Sequence, residues 1–194
     1  MFKKIFLLPV IAIFASSCTN NDDGFYNETY ILAQNNLVSI EQQPSYNLND
    51  AIYINAIIPR LLQEKDYPNL LDVRQSTGNA DRFNLTVILE KKATDGTWQY
   101  VDLTNKYIVD EGIGIAGTFV KGTLVYNNSL EEYRWRGGIS LTEIGEYRMG
   151  FGITASASKT IELRSESPGQ NLQMNLKTSA DALDASGRYN FVVN

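Results

Sequence analysis

The residues of this 194-residue chain best suited to recognition chemistry are aromatic and charged side chains set close together, at Tyr133-Arg134-Trp135-Arg136 and at Trp98. An arginine beside an indole can stack on a sugar ring or anchor a protein interface. Strand alternation splits the first cluster: Tyr133 and Trp135 fall on one face, Glu132, Arg134 and Arg136 on the other. That pattern predicts a core strand in which Trp135 is structural, and leaves Arg134 and Arg136 as ligand-binding candidates on the outward side. Trp98, directly after Asp95-Gly96-Thr97, is either a stacking platform or one half of a cross-strand pair that pins the register.

Candidates for catalysis are few. Histidine is absent and cysteine occurs once, which removes most zinc and transition-metal sites, Ser-His-Asp and Cys-His pairs, and redox thiols. Glu131-Glu132 and the pair Glu143 and Glu146 offer carboxylates of the kind a glycosidase needs, yet acid pairs on strand surfaces are commonly just solvated. The segment Asp181 to Gly187 supplies carboxylate and hydroxyl oxygens without the acidic spacing of a calcium loop. Gly112-Ile113-Gly114-Ile115-Ala116-Gly117 lacks the lysine and following helix of a phosphate loop and reads as a bent or bulged strand. The expectation is a non-enzymatic protein with no metal and no cofactor.

The N-terminus carries its own chemistry. Lys3 and Lys4, the apolar run Ile5 to Phe14, and the small residues Ala15, Ser16 and Ser17 read as a cleavable export leader. The run is too short for a bilayer span, which takes about 20 apolar residues, and Pro9 interrupts it. Ala15-Ser16-Ser17-Cys18 resembles the lipobox of bacterial lipoproteins. That resemblance implies cleavage before Cys18, lipidation of its thiol, and a protein held to a membrane by two or three acyl chains. The following Asn20, Asn21, Asp22 and Asp23 resemble the acidic surface-export signals of Bacteroidota lipoproteins, which implies the cell surface of the outer membrane. Read from composition alone, they form a flexible polar tether. The expected organisation is a signal peptide over 1–17, a lipidated cysteine and tether over 18–29, and one domain over 30–194.

The elements that must position these residues are strands. Without Lys3 and Lys4 the chain has 15 basic against 22 acidic side chains, a formal charge of −7 that disfavours nucleic acid as a partner. Period-two alternation dominates: Phe83, Leu85, Val87 and Leu89 share one face of Arg82 to Glu90, and Tyr147, Met149 and Phe151 repeat the pattern, as do Leu172, Met174 and Leu176, and Tyr189, Phe191 and Val193. Asp95-Gly96, Asn127-Asn128 and Pro168-Gly169 mark hairpins. Pro59 to Ala80 reads as the longest loop, with room for one helical turn. Together these predict a single-domain, all-β fold, an antiparallel sandwich of about ten strands.

Leu141-Thr142-Glu143-Ile144-Gly145-Glu146-Tyr147 resembles the tyrosine corner of immunoglobulin-like sandwiches. The resemblance implies that the Tyr147 hydroxyl returns to the backbone and locks the corner, a structural role. The chain departs from that family in lacking paired cysteines. The function expected is a membrane-anchored surface lipoprotein that binds, as an accessory subunit of an outer-membrane protein complex or an adhesion module; the alternative is a carbohydrate-binding lipoprotein of a polysaccharide uptake system, whose partner is a glycan.

Overall fold

The computed structural model describes residues 27–152, 159–166 and 172–194. In chain order its strands begin with β1 (Asn27–Leu32), β2 (Val38–Glu41), β3 (Ala51–Pro59), β4 (Leu61–Gln63) and β5 (Leu70–Asp72), followed by one helical turn, α1 (Val73–Ser76). Then come β6 (Arg82–Lys92), β7 (Trp98–Tyr100), β8 (Tyr107–Glu111), β9 (Ile113–Ala116) and β10 (Val120–Asn127). The last are β11 (Glu132–Ser140), β12 (Gly145–Phe151), β13 (Ile161–Glu166), β14 (Leu172–Thr178) and β15 (Arg188–Val193). The domain is all-β, and its strands outnumber the ten expected because short ones such as β4 and β5 carry too few residues to show a period.

Thirteen strands belong to one hydrogen-bonded sheet in the order β1-β14-β13-β6-β10-β11-β3-β2, with β12, β15, β7, β8 and β9 attached to it. Strand β6 organises it. Residues 82–84 pair with β13 on one edge and β10 on the other, while residues 90 and 91 pair with β12 and β7. Phe83, Leu85, Val87 and Leu89 of β6 enter the core with Ile54, Leu124, Tyr133, Met149 and Leu176. Short bridges tie the edge strand β1 to the separate β4–β5 ribbon, where Gln34 N–H donates to Gln63 O (3.0 Å) and Lys65 N–H to Leu32 O (2.8 Å), and Tyr46, after β2, bridges to Val193 of β15. The sheet is antiparallel except at β1, which runs parallel to β14.

Within Pro59 to Ala80 the chain forms the β4–β5 ribbon and α1, whose N-cap Asp72 accepts a hydrogen bond from Gln75 N–H (3.0 Å). Asp95-Gly96 closes the β6–β7 hairpin with Gly96 at φ +84°. Pro168-Gly169 lies outside the described residues.

The glycine-rich run finds its explanation next to Trp135. Strands β10 and β11 pair only over residues 125–127 and 132–134. Beyond that they part, and β8 and β9 fill the gap, β9 on β10 and β8 on β11. Trp135, fully buried, sits at this fork. A methyl group at Gly122 or Gly137 would come within 2.6 or 2.4 Å of its indole, so only glycine fits beside the ring. Gly112, between β8 and β9, adopts φ +79°. The indole Nε1–H donates to the Tyr107 hydroxyl (3.2 Å), which satisfies the one polar atom of the ring.

Two expectations follow for stability. Trp135→Ala leaves a cavity that the surrounding glycines cannot fill, and should lower the unfolding free energy by about 3 to 5 kcal/mol in urea denaturation. The Tyr147 hydroxyl donates to Glu143 O (2.8 Å) from a ring that is 4% exposed. Tyr147→Phe should therefore cost about 1 to 3 kcal/mol by the same measurement, because it strands that carbonyl; an unchanged midpoint would show that the hydroxyl holds nothing.

Candidate functional site

Cys18 and the export residues Asn20, Asn21, Asp22 and Asp23 lie outside the described residues. Arg134 and Arg136 point outward from β11 and are each held by two acids. Arg134 bonds Glu111 (2.9 Å) and Glu132 (2.6 Å). Arg136 makes a two-point contact with Glu41 (2.7 and 2.8 Å), reaches Asp110, and lies 4.1 Å over the Tyr53 ring. The hydrogen bonds that Arg136 donates to Glu41 and Asp110 raise the pKa of its guanidinium further, and Arg136 in turn holds Glu41 below the usual carboxylate range. These arginines form a surface ion-pair network on β11.

Trp98 stands on β7, in the same sheet as β11 with β6 and β10 between them. Cross-strand register on the outward side of β7, β6, β12 and β15 lines up two rows: Tyr100, Glu90, Arg148, Asn190, and Trp98, Lys92, Glu146, Val192. Glu90 belongs to the outward set by alternation yet is only 5% exposed. Arg148 covers it with a two-point contact (both 2.8 Å), and Arg188 reaches it at 3.3 Å across Gly150, where a methyl group would collide with the Arg188 guanidinium. A buried carboxylate is costly alone and is stable here because two guanidinium groups satisfy it. Fixed by Glu90, Arg148 lies 4.5 Å over the indole of Trp98. Lys92 pairs with Glu146 (2.8 Å). A cleft of about 330 Å³ is lined by Trp98, Glu146, Tyr147, Asn190, Phe191 and Val192, within the size range of small-molecule sites. Tyr100 (56% exposed) and Val192 (51%) are the open apolar groups of the two outward rows.

The loop 179–187 supports this face through Asp184. Its carboxylate accepts from Ser186 N–H (2.8 Å), Ser186 Oγ (2.6 Å), Arg188 N–H (3.0 Å) and Asn190 Nδ2 (2.7 Å). The oxygens that suggested a metal loop are thus occupied in holding Arg188 and Asn190. Among the described residues no cluster of three or more acidic or cysteine side chains gathers as metal ligands would.

A second cleft, of about 430 Å³, is lined by Arg60, Asp72, Arg74, Gln75, Asn79, Tyr126, Asn128 and Glu131. Arg60 bridges its two carboxylates, Asp72 (2.9 Å) and Glu131 (2.8 Å), and the bond from Arg60 holds Asp72 below the usual range. Arg74 lies 4.0 Å over the Tyr126 ring. Lys91 bonds Glu143 (2.6 Å) and lowers its carboxyl likewise. Acid catalysis needs a carboxyl whose proton is retained near neutral pH; Asp72 and Glu143 are shifted the opposite way.

Sequence reasoning singled out Trp98 and Glu146 and missed Tyr100, Arg148 and Asn190. Tyr100, two residues on in the same strand, was the available signal, since i and i+2 share a face; Arg148 and Asn190 become visible only once the strands are paired. Compared with known protein families, curated proteins and solved structures, the chain matches none.

Asp184 makes the face sensitive to acid. The bond from the Ser186 hydroxyl, helped by the backbone N–H of Arg188, holds its pKa at about 2, below the ordinary value of about 3.9. A depressed carboxyl adds stability that is present above its unfolded pKa and lost as pH falls through its folded one. Wild type should therefore lose stability between about pH 4 and pH 2 more steeply than Asp184→Ala, as read from urea midpoints across that range. Parallel curves would remove Asp184 from this role.

Proposed function

We propose that this chain is a lipid-anchored, non-enzymatic binding domain at the outer-membrane surface, acting as an accessory subunit of an outer-membrane protein complex or as an adhesion module. One observation carries the non-enzymatic half: the carboxylates lining the two clefts, Asp72, Glu131 and Glu146, each sit within 3 Å of a cation. Paired in that way they serve as fixed recognition groups. The anchored half rests on the leader and on the Ala15-Ser16-Ser17-Cys18 motif. An immunoglobulin-like descent for the sheet is part of the proposal and is supported by the Tyr147 corner bond alone.

The second reading, a carbohydrate-binding lipoprotein beside a polysaccharide uptake system, is favoured by the outward face that carries Trp98 and Tyr100 together. Burial of Trp135 removes the other indole from consideration as a platform.

Cys18→Ala tests the anchor. The variant should lose acylation and shift from the membrane fraction to a soluble or unprocessed pool, measured by fractionation and lipid labelling; retention in the membrane would refute lipid anchoring. Protease added to intact cells tests the exposed face separately, since a periplasmic domain would be protected.

A further inference from the structure

We propose that the outward face of β7, β6, β12 and β15 is a binding platform for an uncharged pyranose chain, with Trp98 and Tyr100 as stacking groups and Arg148, Glu146 and Asn190 as hydrogen-bonding groups. This rests on the reading of the domain as a binding module and gives that module its ligand class.

A pyranose ring has two chemically different surfaces. Its flat faces expose C–H groups, which carry slight positive charge and suit the negative face of an aromatic ring. Its rim carries hydroxyls, each a donor and an acceptor, that need polar partners in the plane of the ring. The outward face offers both kinds of partner within two cross-strand rows: Trp98 and Tyr100 on adjacent outward positions of β7, then Glu90 with Arg148 and Lys92 with Glu146, then Asn190 and Val192 on β15. The cleft between Trp98 and the β15 residues is open enough to admit one ring.

Rigidity argues for use as a platform. The indole is fixed against Arg148, Arg148 against Glu90, and Glu90 against Arg188. Asn190 is fixed by Asp184. A ligand meeting groups already held in place loses less conformational freedom on binding.

Charge selects the class. Arg148 and Arg188 face Glu90, Lys92 faces Glu146, and the Asp184 carboxylate lies in the adjoining loop, bonded to the Arg188 backbone N–H. Three cations and three carboxylates cancel, and the chain as a whole is acidic, with a formal charge of −5. A polyanionic glycan gains nothing from such a surface and is repelled at longer range. Ion pairs remain good partners for hydroxyls, because bonds to charged groups are stronger than those between neutral ones.

The test uses the full-length lipidated protein in detergent micelles, titrated by calorimetry with neutral hexasaccharides of glucose in α and β linkage, mannose, xylose and galactose, and with an oligogalacturonate as the charged comparator. At least one neutral hexamer should bind and shift the emission of Trp98, the partly exposed indole. Trp98→Ala and Tyr100→Ala should each weaken that binding about tenfold or more, Trp98→Phe should restore most of it, and Val192→Ala, at an exposed position, should weaken it a fewfold with the fold intact. A urea midpoint for each variant separates lost binding from lost fold. Binding of no neutral hexamer, undiminished binding by folded Trp98→Ala, or equal or tighter binding of the oligogalacturonate would each overturn the proposal. Loss in folded Trp98→Ala of a co-purifying outer-membrane protein, with glycan binding absent, would reassign the face to a protein interface and leave the broader binding role standing.

Discussion

Because β6 shares each of its two edges between two strands, four separate strands depend on its eleven residues for their pairing. Its inward row, Phe83, Leu85, Val87 and Leu89, places four large apolar groups at the centre of the core, and its outward row ends in Glu90 and Lys92. A domain without disulfides among its described residues must hold itself by burial and ladder hydrogen bonds. The load falls on the one strand that joins the β10–β11 half to the β12–β15 half. A one-residue slip of β6 would expose the core row and bury Lys92, so the apolar pattern of this strand sets the register of its neighbours.

The same strand links packing to recognition. Glu90 is a polar residue on the outward side, and its burial calls for two guanidinium groups, from β12 and β15. Satisfying that carboxylate aligns Arg148 beneath Trp98. An orientation useful at the surface thus follows from an electrostatic requirement underneath it. The Arg134 and Arg136 network contrasts with this, since there the guanidinium groups meet acids that are themselves solvent-exposed, a surface arrangement worth little in stability.

Much of the strand content was legible because alternation survives wherever a strand has one wet face, as in β6, β11 and β12. The β6–β7 turn was legible from Asp95-Gly96, and the Tyr147 corner from its spacing to Gly145. Pairing was not. The β8–β9 insertion depends on β10 and β11 separating after Arg134, and no local pattern announces that two paired strands will part. The glycines that permit it, Gly112, Gly122 and Gly137, are scattered along the chain and converge only around the Trp135 indole. Glu90 falls on the wet face by alternation; it is buried because Arg148 and Arg188, from strands far along the chain, cover it. Arg134 and Arg136 looked available for a ligand because their counter-ions, Glu41, Asp110 and Glu111, lie on other strands.

The parallel pairing of β1 has a mechanical side. A pull on Asn27 directed along the strand axis acts on the six-residue register from Asn27 opposite Leu172 to Leu32 opposite Lys177. The ladder bonds then share the strain and must be sheared together, whereas a sideways pull would peel them from the Asn27 end one at a time. Ile31 and Ala33 are inserted in the core, and Ala33 N–H bonds Lys177 O, so yielding also requires drawing apolar groups out past β14. Resistance to such traction is set by an unfolding rate and not by equilibrium stability, which makes this first strand a shear clamp between whatever precedes Asn27 and the body of the domain.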